Sequence, residues 1–114
     1  MDTVSLTELA AQHLEIARAA ESKRSAITVY GGRERHLRQT LLAIIAGHGL
    51  DEHRSPGEAT LQVITGRIVL RSATRSWELE PGSYVEIPDE VHAVDVIEDA
   101  AFLLSVVKRE SHTR

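Results

Sequence analysis

The chain has 114 residues, no cysteine, and 13 Lys plus Arg against 17 Asp plus Glu, a formal charge of −4 at pH 7 with neutral histidines. One domain with one core is the expectation at this length, able to bury roughly two-thirds of its unfolded surface. The composition excludes disulfides and thiolate metal sites and fits a reducing compartment; it also lacks the overall positive field that holds nucleic-acid phosphates. The longest apolar run, residues 41–46, is far too short to span a membrane as a helix. From the charge and the short apolar runs no nucleic acid and no membrane are expected, and because residues 1–4 open no basic-then-apolar leader a cytoplasmic location is expected.

Residues 5–22 read as the one helix. Ser5, with Glu8 three residues on, forms a capping box. Leu6, Leu9, Ala10, His13, Ile16, Ala17 and Ala20 fall at i, i+3, i+4 spacing and make an apolar stripe, expected to pack on the rest of the domain or on a partner subunit. No second helix stands beside it to make a helix-turn-helix. After the polar break at 22–25, strands are expected at 27–30, 36–46, 59–65, 67–72, 76–80, 83–87, 92–97 and 101–107. Turn chemistry separates them at Gly31-Gly32, Gly47-His48-Gly49, Ser55-Pro56-Gly57, Thr65-Gly66, Pro81-Gly82 and Pro88-Asp89. Short strands at close spacing, with no helix between them, argue for an antiparallel barrel or sandwich. The division is a helix and linker over 1–26, a barrel over 27–110 and a polar tail over 111–114 that contains His112.

Four side chains stand out as pocket candidates. His92 shares a strand face with Val94 and Val96; it is either a ligand-contacting ring or a core histidine hydrogen-bonded to a neighbour. His53 is expected in a loop among charged residues, where a solvated role competes. Arg38 alternates with His36 and Thr40. Facing inward it would anchor an anionic ligand such as a carboxylate; facing outward these charges would protect an edge strand from aggregation. Glu58 enters through the resemblance below. His48 reads as a loop residue and His13 as a helix-packing residue, with Trp77 and Tyr84 as core anchors. There is no nucleophile elbow, and Gly31-Gly32 lacks the strand-loop-helix setting of a phosphate loop.

Residues 36–107 resemble the cupin superfamily, whose first motif runs G-x5-H-x-H-x3-4-E-x6-G. Gly47, His53 and Gly66 match it, Ser55 replaces the second histidine, and Ala59 takes the glutamate position with Glu58 one residue away. The second motif, G-x5-P-x-G-x2-H-x3-N, is similar to residues 82–95: Gly82 and Pro88 match, His92 arrives one residue early, and Asp95 lies near the final position. The resemblance implies an all-β fold, an antiparallel double-stranded β-helix of the cupin or jelly-roll kind, with one N-terminal α-helix.

In metal cupins three histidines and a glutamate converge on a transition metal, as imidazole and carboxylate donors do. Here at most His53 and His92 remain, and Glu58 is offset by one residue, which on a strand turns a side chain to the other face. The resemblance therefore implies a metal-poor barrel with no cofactor or, at best, a weakly held divalent ion on His53 and His92. The first expectation is a barrel that binds a small molecule or has a structural or sensory role. The alternatives are a metal-dependent isomerase or oxygenase using His53 and His92, and a free-standing ligand sensor linked to transcription. A homodimer is expected, since many cupins pair.

Overall fold

The computed structural model describes residues 3–55 and 57–108. Pro56 of the expected turn, the last two residues of the expected barrel and the tail at 111–114 lie outside the described residues. In chain order the elements are α1 (Leu6–Ala19), β1 (Arg24–Tyr30), β2 (Leu37–Ile44), β3 (Gly49–His53), β4 (Gly57–Ser72), β5 (Ser76–Leu79), β6 (Tyr84–Glu86) and β7 (His92–Lys108). Among the described residues this is an antiparallel β fold with one helix.

The helix is shorter than the expected 5–22, because its ends are set by local chemistry. The Ser5 hydroxyl accepts from the Glu8 N–H at 3.2 Å, supplying one of the partners that a first turn lacks. At the other end Ala20 leaves helical geometry. The buried face is Ala10, Leu14 and Ala17, packed on Leu41, Ala43 and Ala101. The stripe thus runs one position away from the expected line: Leu14 is inside and Ile16 is 52% exposed. His13 packs at the helix edge, its Nδ1 2.7 Å from Ser25 Oγ. Because this face is spent on the chain's own sheet, it is not free to bind a partner subunit. Ser5→Ala should lower stability by about 1 kcal/mol, the usual worth of such a cap, seen as an earlier midpoint in urea unfolding.

The strands make two half-sheets that share β4 and β7. One half runs β1-β2-β7-β4, with β6 beyond β4. The other uses the far ends of the same long strands, with β3 on β7 and β5 on β4. Two expected boundaries vanish here. Thr65-Gly66 is a bend inside β4, and residues 92–97 and 101–107 belong to the single strand β7; the two strands stay paired from Gly57↔Lys108 to Ser72↔His92. Register shifts cluster between Val63 and Ile68, where extra residues turn both strands through the barrel corner.

Gly66 permits this, with φ at +83° and no room for a β-carbon beside Asp99 and Ala100. Asp99 ties the corner to its surroundings, accepting from the Ala46 N–H at 2.9 Å and from Arg18 Nε at 3.3 Å.

Between the half-sheets lies the core: Leu61, Val63 and Phe102 from one, Ile68, Leu70, Val94 and Val96 from the other. Period-2 alternation on β4 and β7 sends the intervening residues outward. Trp77 packs on the core rim with the Arg75 guanidinium 4.6 Å above its ring. Tyr84, expected as a core anchor, is instead 66% exposed. Nor is β2 an edge strand: β1 and β7 flank it. No helix among the described residues is long and apolar enough to cross a membrane.

Candidate functional site

His53 and His92 meet because β3 pairs with the start of β7 and ends with these two residues opposite each other. Their ring centres lie 4.6 Å apart, with planes tilted by 60°. His53 is not in a loop, as expected, but at the end of a strand that the sequence did not announce. His92 is 2% exposed, whereas His53 lies open to solvent.

Each ring is held by a backbone carbonyl two residues earlier: His53 Nδ1 donates to Asp51 O at 2.8 Å, and His92 Nδ1 to Glu90 O at 2.9 Å. A carbonyl can only accept, so both Nδ1 atoms carry hydrogen and, in the neutral rings, both Nε2 atoms are bare acceptors. No hydrogen bond among the described residues engages either Nε2. The pair therefore presents two fixed lone-pair donors, the tautomer that metal-binding histidines also use.

What lies under the rings limits what they can hold. The cavity is lined by His53, Ser55 and His92 on its polar side, with Leu61, Phe102 and Leu104 prominent on the other, and its volume is about 20 Å³. A single water needs roughly 10–15 Å³ by the same kind of measure, whereas organic ligands occupy pockets of about 300–1,000 Å³. One water or one ion fits; an organic molecule does not.

Of the other sequence candidates, Ser55 does line the cavity. Glu58 does not: Ala59 is 4% exposed among the core residues, and Glu58, one step along β4, is on the outer face. Arg38 is exposed on β2 opposite Val106 and is absent from the cavity wall. The resemblance to metal cupins implies a metal, which the donor set would have to hold. That set consists of two imidazoles and a neutral hydroxyl, and no group of three or more His, Cys, Asp or Glu among the described residues is placed to hold an ion. Tight divalent centres use three or four protein ligands. These residues do not fit one.

A larger open cleft of about 780 Å³ lies on the outside near β3, bordered by Arg24, His48, Glu52, Arg71 and Asp95. Its charges are already matched. Arg71 Nε donates to Asp95 Oδ2 at 2.6 Å, Glu52 stands 3.9 Å away, and Arg24 donates to Gly49 O at 2.8 Å. The hydrogen bond and charge of Asp95 push the Arg71 guanidinium above its ordinary value, against the opposing effect of desolvation and with further help from Glu52. It is a self-satisfied surface.

No protein-family model and no curated protein matches the sequence. Solved structures do match the fold. A cupin superfamily protein from Desulfitobacterium hafniense is 16% identical, with 95% of this chain and 92% of that one aligned at a TM-score of 0.77. A conserved protein of unknown function from Streptococcus pyogenes is 22% identical over 81% of this chain and 80% of its own, at 0.70. A cupin 2 conserved barrel domain protein from Leptotrichia buccalis is 25% identical over 82% of this chain and 45% of its own, also at 0.70. An antiparallel barrel with His53 and His92 paired at one end is thus the architecture. The chain is a small protein of the cupin fold, with one α-helix ahead of the barrel.

Proposed function

We propose that this protein is a metal-poor cupin barrel with a structural or sensory role, soluble in the cytoplasm, rather than a container for an organic ligand. The observation that carries this is the cavity of about 20 Å³ beneath His53 and His92. The barrel interior is filled by its own side chains, and the imidazole pair holds a single water across two bare Nε2 atoms. Ser55 supplies a third hydrogen-bonding group to that water. Three polar partners are what a buried water normally finds.

The bare Nε2 atoms also favour a second reading, in which His53 and His92 serve a metal-dependent isomerase or oxygenase. Metal analysis separates the two. Protein purified without added metal should carry far less than one transition-metal ion per chain, and a titration with Zn²⁺ or Ni²⁺ should give only weak binding that a mild chelator reverses. His53→Ala and His92→Ala should each abolish even that weak binding. Stoichiometric metal that survives dialysis against a strong chelator, and disappears in both variants, would overturn the proposal in favour of the enzyme.

A further inference from the structure

The helix leaves part of its own sheet face bare. It covers the outer face around Leu41, Ala43 and Ala101. Past the helix the same face continues over Leu37 of β2 and Val107 of β7, where it forms an open groove of about 480 Å³ with Glu58, Tyr84 and Glu86 on its far side. That volume lies within the roughly 300–1,000 Å³ of small-molecule sites, whereas the interior cavity of about 20 Å³ does not.

The strand register fixes what the groove offers. Leu37 lies opposite Val107 and Val107 opposite Glu58, so one row across the sheet reads apolar, apolar, acidic. In the next row on this face Thr60 lies opposite Glu86, which makes Glu58 and Glu86 diagonal neighbours about 7 Å apart. Tyr84, two residues before Glu86 on β6, shares that face and is 66% exposed; Val107 is 40% exposed. The floor makes no polar demand on an occupant, because Gln39 Nε2 donates to Ser105 Oγ at 3.0 Å across the strands. Elsewhere on the sheet acids are matched: Glu78 and Glu98 meet Arg67, and Asp95 meets Arg71. Glu58 and Glu86 have no ion-pair partner among the described residues.

We infer that this groove binds a small organic amine, a protonated ammonium on an apolar body. Two carboxylates this close repel each other, and one compact ammonium with three N–H donors answers both. The exposed Tyr84 ring beside Glu86 offers its face to the same charge. Val107 and Leu37 take the apolar body, which an inorganic cation would leave uncovered, and the carboxylates turn an anion away. The bare face spans about five residues along four strands, roughly 16 by 19 Å. That falls well short of the ~800 Å² a protein partner covers, so the size favours a small molecule. The inference gives the sensory reading a ligand, and rests on it in one respect: the filled interior leaves the outer face as the place for one.

Phenethylamine, titrated into the full chain and followed by amide NMR shifts, tests this, with 2-phenylethanol and phenylacetate as its neutral and anionic counterparts. A Kd on the order of 1 mM is expected for so small a molecule, with saturable shifts centred on Thr60, Tyr84, Glu86 and Val107. The alcohol should bind at least tenfold more weakly and the carboxylate not at all. Glu58→Gln with Glu86→Gln should weaken the amine by about tenfold or more, and Tyr84→Ala by about threefold. All three positions are exposed, and thermal unfolding of each variant checks that the fold is kept. Several outcomes would overturn the inference: no saturable shifts, an alcohol that binds as tightly as the amine, or binding indifferent to both variants. Groove shifts that appear on concentrating the protein alone would give the face to a second copy. An acetylated and amidated Ala-Lys-Ala tripeptide that binds tenfold more tightly than the amine would give it to a protein partner. Shifts centred on His53 and His92 instead would overturn the filled barrel as well, whereas stoichiometric metal in the earlier test would leave this groove untouched.

Discussion

Gly66→Ala should be among the most damaging single substitutions in the barrel, although it adds only a methyl group. A β-carbon at this position would sit 2.1 Å from Asp99 O and 2.5 Å from the Ala100 α-carbon, at a backbone φ of +83°. The obstacles are backbone atoms of β7, which cannot rotate aside as a side chain can. Left-handed strain at a non-glycine residue costs about 1–3 kcal/mol, and forcing a packed contact apart costs a similar amount again. A loss of about 4 kcal/mol is expected, a large share of the roughly 5–15 kcal/mol by which domains are stable. Urea unfolding followed by far-UV circular dichroism reads it directly. Gly82→Ala is the control, since Gly82 also has a positive φ, +91°, but nothing within 4 Å of the added carbon. It should show the backbone strain alone. Equal losses in the two variants would mean that the corner does not depend on close approach of the two strands.

Phe102→Ala should cost about 3–5 kcal/mol, the range for removing a large buried side chain and leaving a hole. Phe102 is fully buried, the largest such side chain among the described residues, and sits on β7 opposite Val63 of β4 and Leu42 of β2. It also forms the floor of the cavity under His53 and His92. Its loss therefore has a second effect, because the interior that was too small for an organic molecule becomes an apolar chamber beneath two imidazoles. The variant should gain stability on addition of a small aromatic such as imidazole or phenol, by mass action on the folded state, whereas the wild type should not respond. A wild type stabilised as much as the variant would show that the barrel opens more readily than its packing implies.

The parts of this architecture that were legible in the sequence are those whose cause is local. Ser5 and Glu8 mark a helix start because the cap and its partner are three residues apart. The outward turn of Glu58 follows from its one-residue offset from Ala59, since strand alternation is strict. The misreadings are non-local. A glycine between two apolar runs looks the same whether the chain reverses or only bends, and what makes Gly66 a bend is Ala100, more than thirty residues away. Strand β3 was hidden because Leu50-Asp51-Glu52-His53 contains one apolar residue; it is a strand because β7 pairs with it. The position of His53 was lost for the same reason. Tyr84 and the outer groove join residues from β2, β4, β6 and β7, so no window of sequence displays that surface. The size of the cavity depends on Phe102 and Leu104 filling the space beneath the rings, which motif matching does not register.

Strand β7 has a bearing on how the chain acquires its shape during synthesis. Among the described residues it is the last of the seven strands to leave a ribosome, yet β2, β3 and β4 all use it as their hydrogen-bonding neighbour. Until it emerges, only the β1–β2 pair and the β5 and β6 contacts with β4 can form, and three strand edges stay open to other nascent chains. With most of its ladder closing late and over long sequence separations, the barrel belongs to the slow, millisecond-to-second class of β folders. A chaperone that shields emerging strands would act on this protein mainly in the interval before His92 appears.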